Sequence, residues 1–478
     1  MTDKTPAQID HIVDQDREEL LAVIAESVAI PSVRAEALPG KPFGEQIHQA
    51  LEHALDVGTR LGFRVERLDG YAGWIEFGQG DDLIGVLSHI DVVPVGKLSD
   101  WSHPPFSAET VDGRMYGRGV ADDKGPLFST LYGLKAVRDA GLPLSKRIRL
   151  LIGTDEESGW GGIKRYLETE EIPTCGFSPD GMFTVVNREK GSSVIRLVGA
   201  DTRRASHGLR LSSLRGGTAP NNVPDEAVAL LKGAASCISQ IQTAIDSTIG
   251  RRSDASLSLQ VEPDGDSVLI TSKGRSAHAM CPEKGINAIA ELLRLLSILE
   301  LVKDGATQFA SLLDQRIGFD TTGNSLEMAW SDVMSGDLTL NLGQITVDDR
   351  QAIATMDIRS PVSVSCASVL TRVVSAFADT DGAIGVEVQK QSEPLHVPDE
   401  HPLITTLSKV YNEVTGHEPI LHAIGGGTYA RAIDNCVCFG AVYPGEEITV
   451  HQPNECALIE NIILNGKVYG HALYELAK

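Results

Sequence analysis

Apolar positions in the first part of the chain recur with two alternating spacings. EELLAVIAESVA (18–29) and IHQALEHALDVGTRLG (47–62) carry them at helical intervals, and Gly62 closes the second helix. LIGVLSHI (83–90) and IRLLIG (148–153) are instead unbroken apolar runs of strand length. Between them, DDKGPLFSTLYGLKAVRDAG (122–141) opens on a capping Asp, places Leu127, Leu131 and Leu134 on one face and stops at Gly141. Strand, helix, strand with unbroken strands predicts a sheet covered on both faces, an α/β layer.

From about residue 190 the texture changes. SSVIRLVGA (192–200), ASLSLQVEPDGDSVLITSKG (255–274) and GDLTLNLGQITVDDRQAIATMDIR (336–359) alternate apolar and polar residues around turns, as antiparallel strands do. DEAVALLKGAASCISQIQTAI (225–245) and GINAIAELLRLLSILEL (285–301) read as helices between them. ITTLSKVYNEVTG (404–416) and NCVCFGAVYPG (435–445) return to the first style. The predicted organisation is an α/β domain in two segments, 1–189 and 391–478, with an α+β domain of residues 190–390 inserted between them.

A chain of 478 residues is too long for one core, which agrees with this division. The net charge of −23 argues against a nucleic-acid partner, which requires a basic surface to displace counterions. No signal-peptide core opens MTDKTPAQIDHIVDQDREEL, and no apolar run of about 18 residues suggests a membrane span. The seven cysteines are scattered and odd in number, so reduced thiols and a cytoplasmic location are expected. Cys436 and Cys438 form a C-x-C without a second pair to complete a metal site.

Chemistry concentrates where strands end. His89 and Asp91 follow the first apolar strand and share a face if the chain is extended. Asp122 and Asp123 stand at a helix start, where capping is the plainer explanation. Glu156 and Glu157 follow a second apolar strand, Asp180 a third, and His451 the strand-like EITV. Sites in open α/β sheets form at the carboxyl ends of strands. Carboxylates converging there repel one another unless cations offset them, and two histidines among them suit Zn²⁺ or Mn²⁺ better than Mg²⁺. Position alone leaves open which glutamate would be a ligand.

SHIDVVP, GRGVADDKGP, GTDEESGWGG, SPDG, NNVP, GRSAHAMCPEKGINA, DIRSP, GGGTYAR and HQPNE follow in this order from residue 88 to 455. The set resembles the dinuclear zinc exopeptidase and deacylase family of carnosinases, carboxypeptidase G, succinyl-diaminopimelate desuccinylase and the bacterial dipeptidase V type, the last most of all. The resemblance implies a zinc-exopeptidase-like catalytic domain with a mixed, largely parallel sheet and an inserted lid. It implies two divalent ions, Zn²⁺ first with Mn²⁺ or Co²⁺ as alternatives. One would be held by His89 and Asp180 and the other by Glu157 and His451, with Asp122 bridging. Asp91 would support the His89 ring, and the Asp122–Asp123 peptide bond would be cis. Glu156 would be the general base for a metal-bridged hydroxide.

The same resemblance assigns His278 to the oxyanion of the tetrahedral intermediate, Asn221 to substrate contact and Arg359 to a free carboxylate. Gly425, Gly426 and Gly427 would admit substrate close to backbone amides. With these groups in the inserted domain, catalysis is expected to need domain closure. The expected activity is hydrolysis of unblocked dipeptides by a monomer, with a homodimer as the alternative. The alternative function is an N-acyl amino acid or acyl-diamino acid amidohydrolase. A non-catalytic scaffold is disfavoured because every expected position carries a competent residue.

Overall fold

A computed structural model describes residues 5–200, 207–234, 237–249, 258–380 and 382–478. Residues 235–236 and 255–257, parts of two expected elements, lie outside this set. The chain divides into two compact units. The first comprises 1–188, 396–423 and 427–478; the second comprises 189–395 with 424–426.

The first unit is built on a nine-stranded mixed sheet among the described residues. Its order begins with Arg64–Leu68, Ala72–Gly78, Arg147–Gly153, Leu83–His89, Cys175–Ser178, Cys436–Phe439 and Val185–Glu189. The central pairs are parallel: Leu83–His89 runs parallel to both Arg147–Gly153 and Cys175–Ser178, and Cys436–Phe439 runs parallel to Cys175–Ser178. Every residue of Leu83–His89 is buried, the outcome expected of an unbroken apolar run with neighbours on both sides. The helix Lys124–Asp139 follows with thirteen buried residues and packs against the C-terminal helix Ile459–Ala477. Gly133 permits that approach, since a Cβ there would lie 2.7 Å from the Gly466 carbonyl oxygen.

Among the described residues the second unit holds an eight-stranded sheet in which each adjacent pair is antiparallel. Alternate positions are buried along Gly191–Gly199 and Ser267–Lys273, and they join one apolar core with residues of the helices Ile238–Ile249, Ala288–Ile298, Gly305–Arg316 and Cys366–Phe377. Asn287 caps Ala288–Ile298 by accepting from the N–H groups of Ile289 and Ala290.

Two expected elements differ. The helix expected over 225–245 is a strand, Glu226–Lys232, followed by a helix, Ile238–Ile249. Ala227, Ala229 and Leu231 alternate into the core, and two antiparallel partners outweigh the helical spacing of this short segment. EITV (447–450) forms no strand; it has no ladder partner among the described residues, and Ile448 is exposed. Among the described residues no helix is long and apolar enough to cross a membrane.

Candidate metal centre

Three neighbouring parallel strands end at one place in the first unit. His89 is the last residue of Leu83–His89, Glu156 and Glu157 follow Arg147–Gly153, and Asp180 follows Cys175–Ser178. Asp122 stands just before the helix Lys124–Asp139, and its peptide bond to Asp123 is cis. His451 reaches the group from a loop, with a left-handed φ of 64°.

Asp122 lies between the two imidazoles. Its Oδ1 is 3.0 Å from His89 Nε2 and its Oδ2 is 2.9 Å from His451 Nε2. His451 Nε2 also meets Glu157 Oε1 at 3.0 Å, and Asp180 Oδ2 lies 3.9 Å from His89 Nε2. Ligand atoms of His89, Asp122 and Glu157 fall within 4.8 Å of one another, and so do those of His89, Glu156 and Asp180.

The chemistry of these donors fits divalent cations. His89 Nδ1 donates to the Asp91 carbonyl at 3.0 Å, so in the neutral ring Nε2 is a lone pair. That lone pair faces a carboxylate oxygen, an arrangement that repels unless a positive charge lies between them. Burial opposes protonation of His89, yet Asp122 and Asp91 outweigh it and hold the ring well above its usual pKa. Burial opposes protonation of His451 too, but Asp122 and Glu157 push it up to about 11. Burial and the Asp122 charge raise Asp180 well above the carboxylate range; burial and Glu157 do the same to Glu156. Glu157 is raised as well, by burial and Asp122. Acids that resist ionisation facing bases that hold protons are the reciprocal of a metal site, where cations displace those protons.

The supporting residues settle how the groups are aimed. The Asp91 carboxylate accepts the backbone N–H groups of Glu156 at 3.1 Å and Glu157 at 3.2 Å. Its distance to His89 Nδ1 is 3.6 Å, too long for a hydrogen bond, so Asp91 holds that ring through its backbone carbonyl. Asp123 makes no side-chain cap. Its Oδ2 instead accepts from Ser88 Oγ and from the His89 N–H, while its buried Oδ1 has no partner among the described residues. Asp123 is pushed up to about 7, chiefly by burial.

Several residues were present in the quoted motifs without a role. Glu455 is fully buried; its Oε1 accepts from the N–H groups of Gly119 and Ala121, and its Oε2 accepts from Arg118. It thereby joins the loop before Asp122 to the loop after His451. Lys124 is also fully buried and donates to the carbonyls of Ser27 at 2.8 Å and Ile30 at 2.7 Å. Tyr429 packs edge-on against His89 and Trp160. Gly153 leaves room for its ring, which a Cβ there would overlap. Lys124 stands in ADDKGP and Glu455 in HQPNEC, polar contexts that do not signal burial.

The remaining expected residues fall in the second unit, apart from Gly427. Ala279 N–H donates to the Asn221 carbonyl at 2.9 Å, and Asn222 and His278 form a β-bridge. His278 Nδ1 accepts from the Met280 N–H at 3.1 Å, which places the proton of the neutral ring on Nε2. Arg359 donates through Nη1 to the Gly425 carbonyl at 3.1 Å. Gly425 has no space for a side chain, because a Cβ would lie 2.7 Å from that of Met280. Backbone pairing joins Asn221 to the segment of His278, close packing joins Gly425 to Met280, and the Arg359 side chain bonds Gly425, so the four belong to one patch of the second unit.

A model described as peptidase family M20/M25/M40 matches residues 85–475. A Bacillus subtilis (strain 168) protein described as "Putative dipeptidase YtjP" is 38% identical over 472 residues, covering 98% of this chain and 99% of that protein. A Staphylococcus haemolyticus relative with the same kind of description is 32% identical over 459 residues, covering 94% and 95%. Among solved structures, human carnosine dipeptidase 1 aligns with a TM-score of 0.58 at 16% identity, covering 98% of each chain. That likeness bears on the fold, which it supports as an α/β unit with a separate antiparallel-sheet unit. With four-fifths of its length matched by one family model and a 38% identical relative along nearly all of it, the chain belongs to peptidase family M20/M25/M40.

Proposed function

We propose that the chain is a dinuclear metal-dependent dipeptidase that hydrolyses the single peptide bond of unblocked dipeptides. The observation that carries this reading is the division of Asp122, whose two oxygens meet two different imidazoles at 3.0 and 2.9 Å. Such a carboxylate is suited to bridge two cations. His89 and Asp180 would hold one, Glu157 and His451 the other, with Zn²⁺ as the first expectation and Mn²⁺ or Co²⁺ as alternatives. When bound, such cations would supply Lewis acidity to the scissile carbonyl and lower the pKa of the attacking water.

Glu156 is then the proton carrier. It takes a proton from the attacking water as the new C–O bond forms, and gives it to the amine nitrogen as the C–N bond breaks. Burial and the neighbouring Glu157 charge raise its pKa, which favours the protonated form that the second half of the cycle draws on. The Nε2–H of His278 would stabilise the oxyanion, Asn221 would contact substrate and Arg359 would grip the terminal carboxylate. The glycines Gly425, Gly426 and Gly427 would keep the approach to the backbone open. In this reading the enzyme acts in the cytoplasm as a monomer, and its acidic net charge of −23 leaves nucleic acid out of the partner set.

The test is a panel of unblocked dipeptides and N-acyl amino acids, assayed with metal-free protein reconstituted with Zn²⁺ or Mn²⁺. Dipeptide turnover that collapses in Glu156→Ala at unchanged metal content supports the reading. Turnover of N-acyl amino acids alone would replace it with a deacylase.

A further inference from the structure

Among the buried polar side chains of the second unit that the proposed chemistry leaves without a task, two face each other across neighbouring strands. Asn341 on the strand Thr339–Val347 and Asp357 on Ala352–Ser360 are register partners on adjacent strands, 2% and 1% exposed. Apolar β-branched residues suit such central positions better, and a buried ion pair is weak evidence for a stability role. What the two side chains hold is informative.

Asp357 takes a fork of Arg359. Its Oδ1 accepts from Nε at 2.6 Å and its Oδ2 from Nη2 at 2.8 Å. The two residues are two apart on one strand, so their side chains share a face. Nη1 donates to the Gly425 carbonyl. A guanidinium has five N–H donors. These bonds occupy three of them and leave one on Nη1 and one on Nη2.

Asn341 grips the chain on either side of Asn221. Its Nδ2 donates to the Pro220 carbonyl at 2.9 Å and to the Asn222 carbonyl at 2.8 Å. Thr339, the cross-strand partner of Arg359, donates through Oγ1 to the Ala279 carbonyl at 3.0 Å, beside His278. One cross-strand pair therefore carries both the arginine and the asparagine loop.

We infer that Asp357 and Asn341 are positioning residues for recognition of the peptide's α-carboxylate. Asp357 aims the guanidinium of Arg359 so that its remaining Nη1 and Nη2 donors take a free carboxylate, and Asn341 sets the backbone of Asn221. The inference rests on the substrate roles proposed above for Arg359 and Asn221. Its consequence is selective: Asp357 governs discrimination between a free carboxylate and a C-terminal amide, whereas Asn341 governs binding of both.

The experiment uses the metal-loaded enzyme with an unblocked dipeptide and its C-terminal amide. Asp357→Asn is expected to raise KM for the free dipeptide roughly tenfold at nearly unchanged kcat, with the amide's kcat/KM within about twofold of wild type. Asp357→Glu keeps the charge but displaces the fork by one methylene, so it also lowers the carboxylate-over-amide ratio, and it decides the matter if Asp357→Asn does not fold. Asn341→Leu is expected to raise KM for both substrates alike and to leave the ratio unchanged. A wild-type ratio in the folded Asp357 variants, or wild-type KM values in Asn341→Leu, would overturn the inference while leaving the dipeptidase reading intact. A wild-type enzyme inactive on every dipeptide would overturn that reading, and this inference with it.

Discussion

The carboxylate of Asp91 accepts the backbone N–H of Glu156 at 3.1 Å, so the proposed base is aimed through its main chain rather than its side chain. The neighbouring N–H of Glu157 reaches the other Asp91 oxygen at 3.2 Å. One buried acid therefore sets the turn from which both glutamates project.

Asp91→Ala removes both acceptors and is expected to lower kcat/KM roughly 10- to 100-fold, the range seen when partners of metal-site residues are lost. Asp91→Asn retains one acceptor but turns a donor toward the other amide, so its effect should be intermediate. Steady-state kinetics alongside bound-metal analysis checks this. An unimpaired Asp91→Ala enzyme would show that the turn needs no such support.

Metal affinity is expected to rise with pH. Without cations, burial favours the protonated forms of Asp180 and Glu157, and the carboxylates around His451 push it up to about 11. Ligation requires those protons to leave, so binding releases them and weakens as the pH falls. Titration calorimetry with Zn²⁺ in two buffers of different ionisation enthalpy, between about pH 6 and 8, measures the number released. Affinity that is flat across that range would contradict the expectation.

Glu455→Ala should destabilise the first unit by about 3–5 kcal/mol, because it leaves the buried Arg118 charge and the amides of Gly119 and Ala121 unpaired. Glu455→Gln keeps the shape and one acceptor, and should cost less. Urea unfolding midpoints for both variants provide the comparison. A neutral Glu455→Ala would mean that the two loops hold together without their shared carboxylate.

Lys124 supplies a stability signal that depends on pH. Burial lowers its pKa from 10.5 to about 7. The unfolded chain then binds more protons than the folded one between those values, so the wild type gains stability as pH rises through that window. The penalty is fully present below about pH 7 and is relieved by about pH 10.5, at no more than about 1.4 kcal/mol per pH unit. In Lys124→Met this contribution is absent, so the stability difference between the two proteins should shift in favour of the wild type across that range. A difference independent of pH would show that the carbonyls of Ser27 and Ile30 keep the ammonium charged throughout.

The candidate metal ligands were expected from strand ends, paired acids and histidines that stand in short motifs. His89, Asp122, Glu157, Asp180 and His451 do converge, three of the contributing segments following parallel strands that are neighbours. The strand Glu226–Lys232 was not legible, because Ala and Leu spacing over seven residues satisfies helix and strand alike until pairing decides. EITV was misleading for the opposite reason: its apolar residues suit a strand, but no neighbour among the described residues offers a ladder. The work of Glu455 and Lys124 depends on backbone groups more than 90 residues away, a separation at which no local pattern carries information. Asp357 and Arg359 lay closer to view, since D-x-R on a strand puts both on one face.

The strand Cys436–Phe439 lies between Cys175–Ser178 and Val185–Glu189, and His451 follows it. During synthesis, a nascent chain that has emerged only to residue 430 therefore has a gap within its principal sheet and lacks both His451 and Glu455. The intervening 189–395 segment can already have collapsed around its own core. Assembly of the first unit is thus a late event in the life of each molecule, timed by the translation of one four-residue strand, and chaperone demand should fall in the interval before that strand arrives.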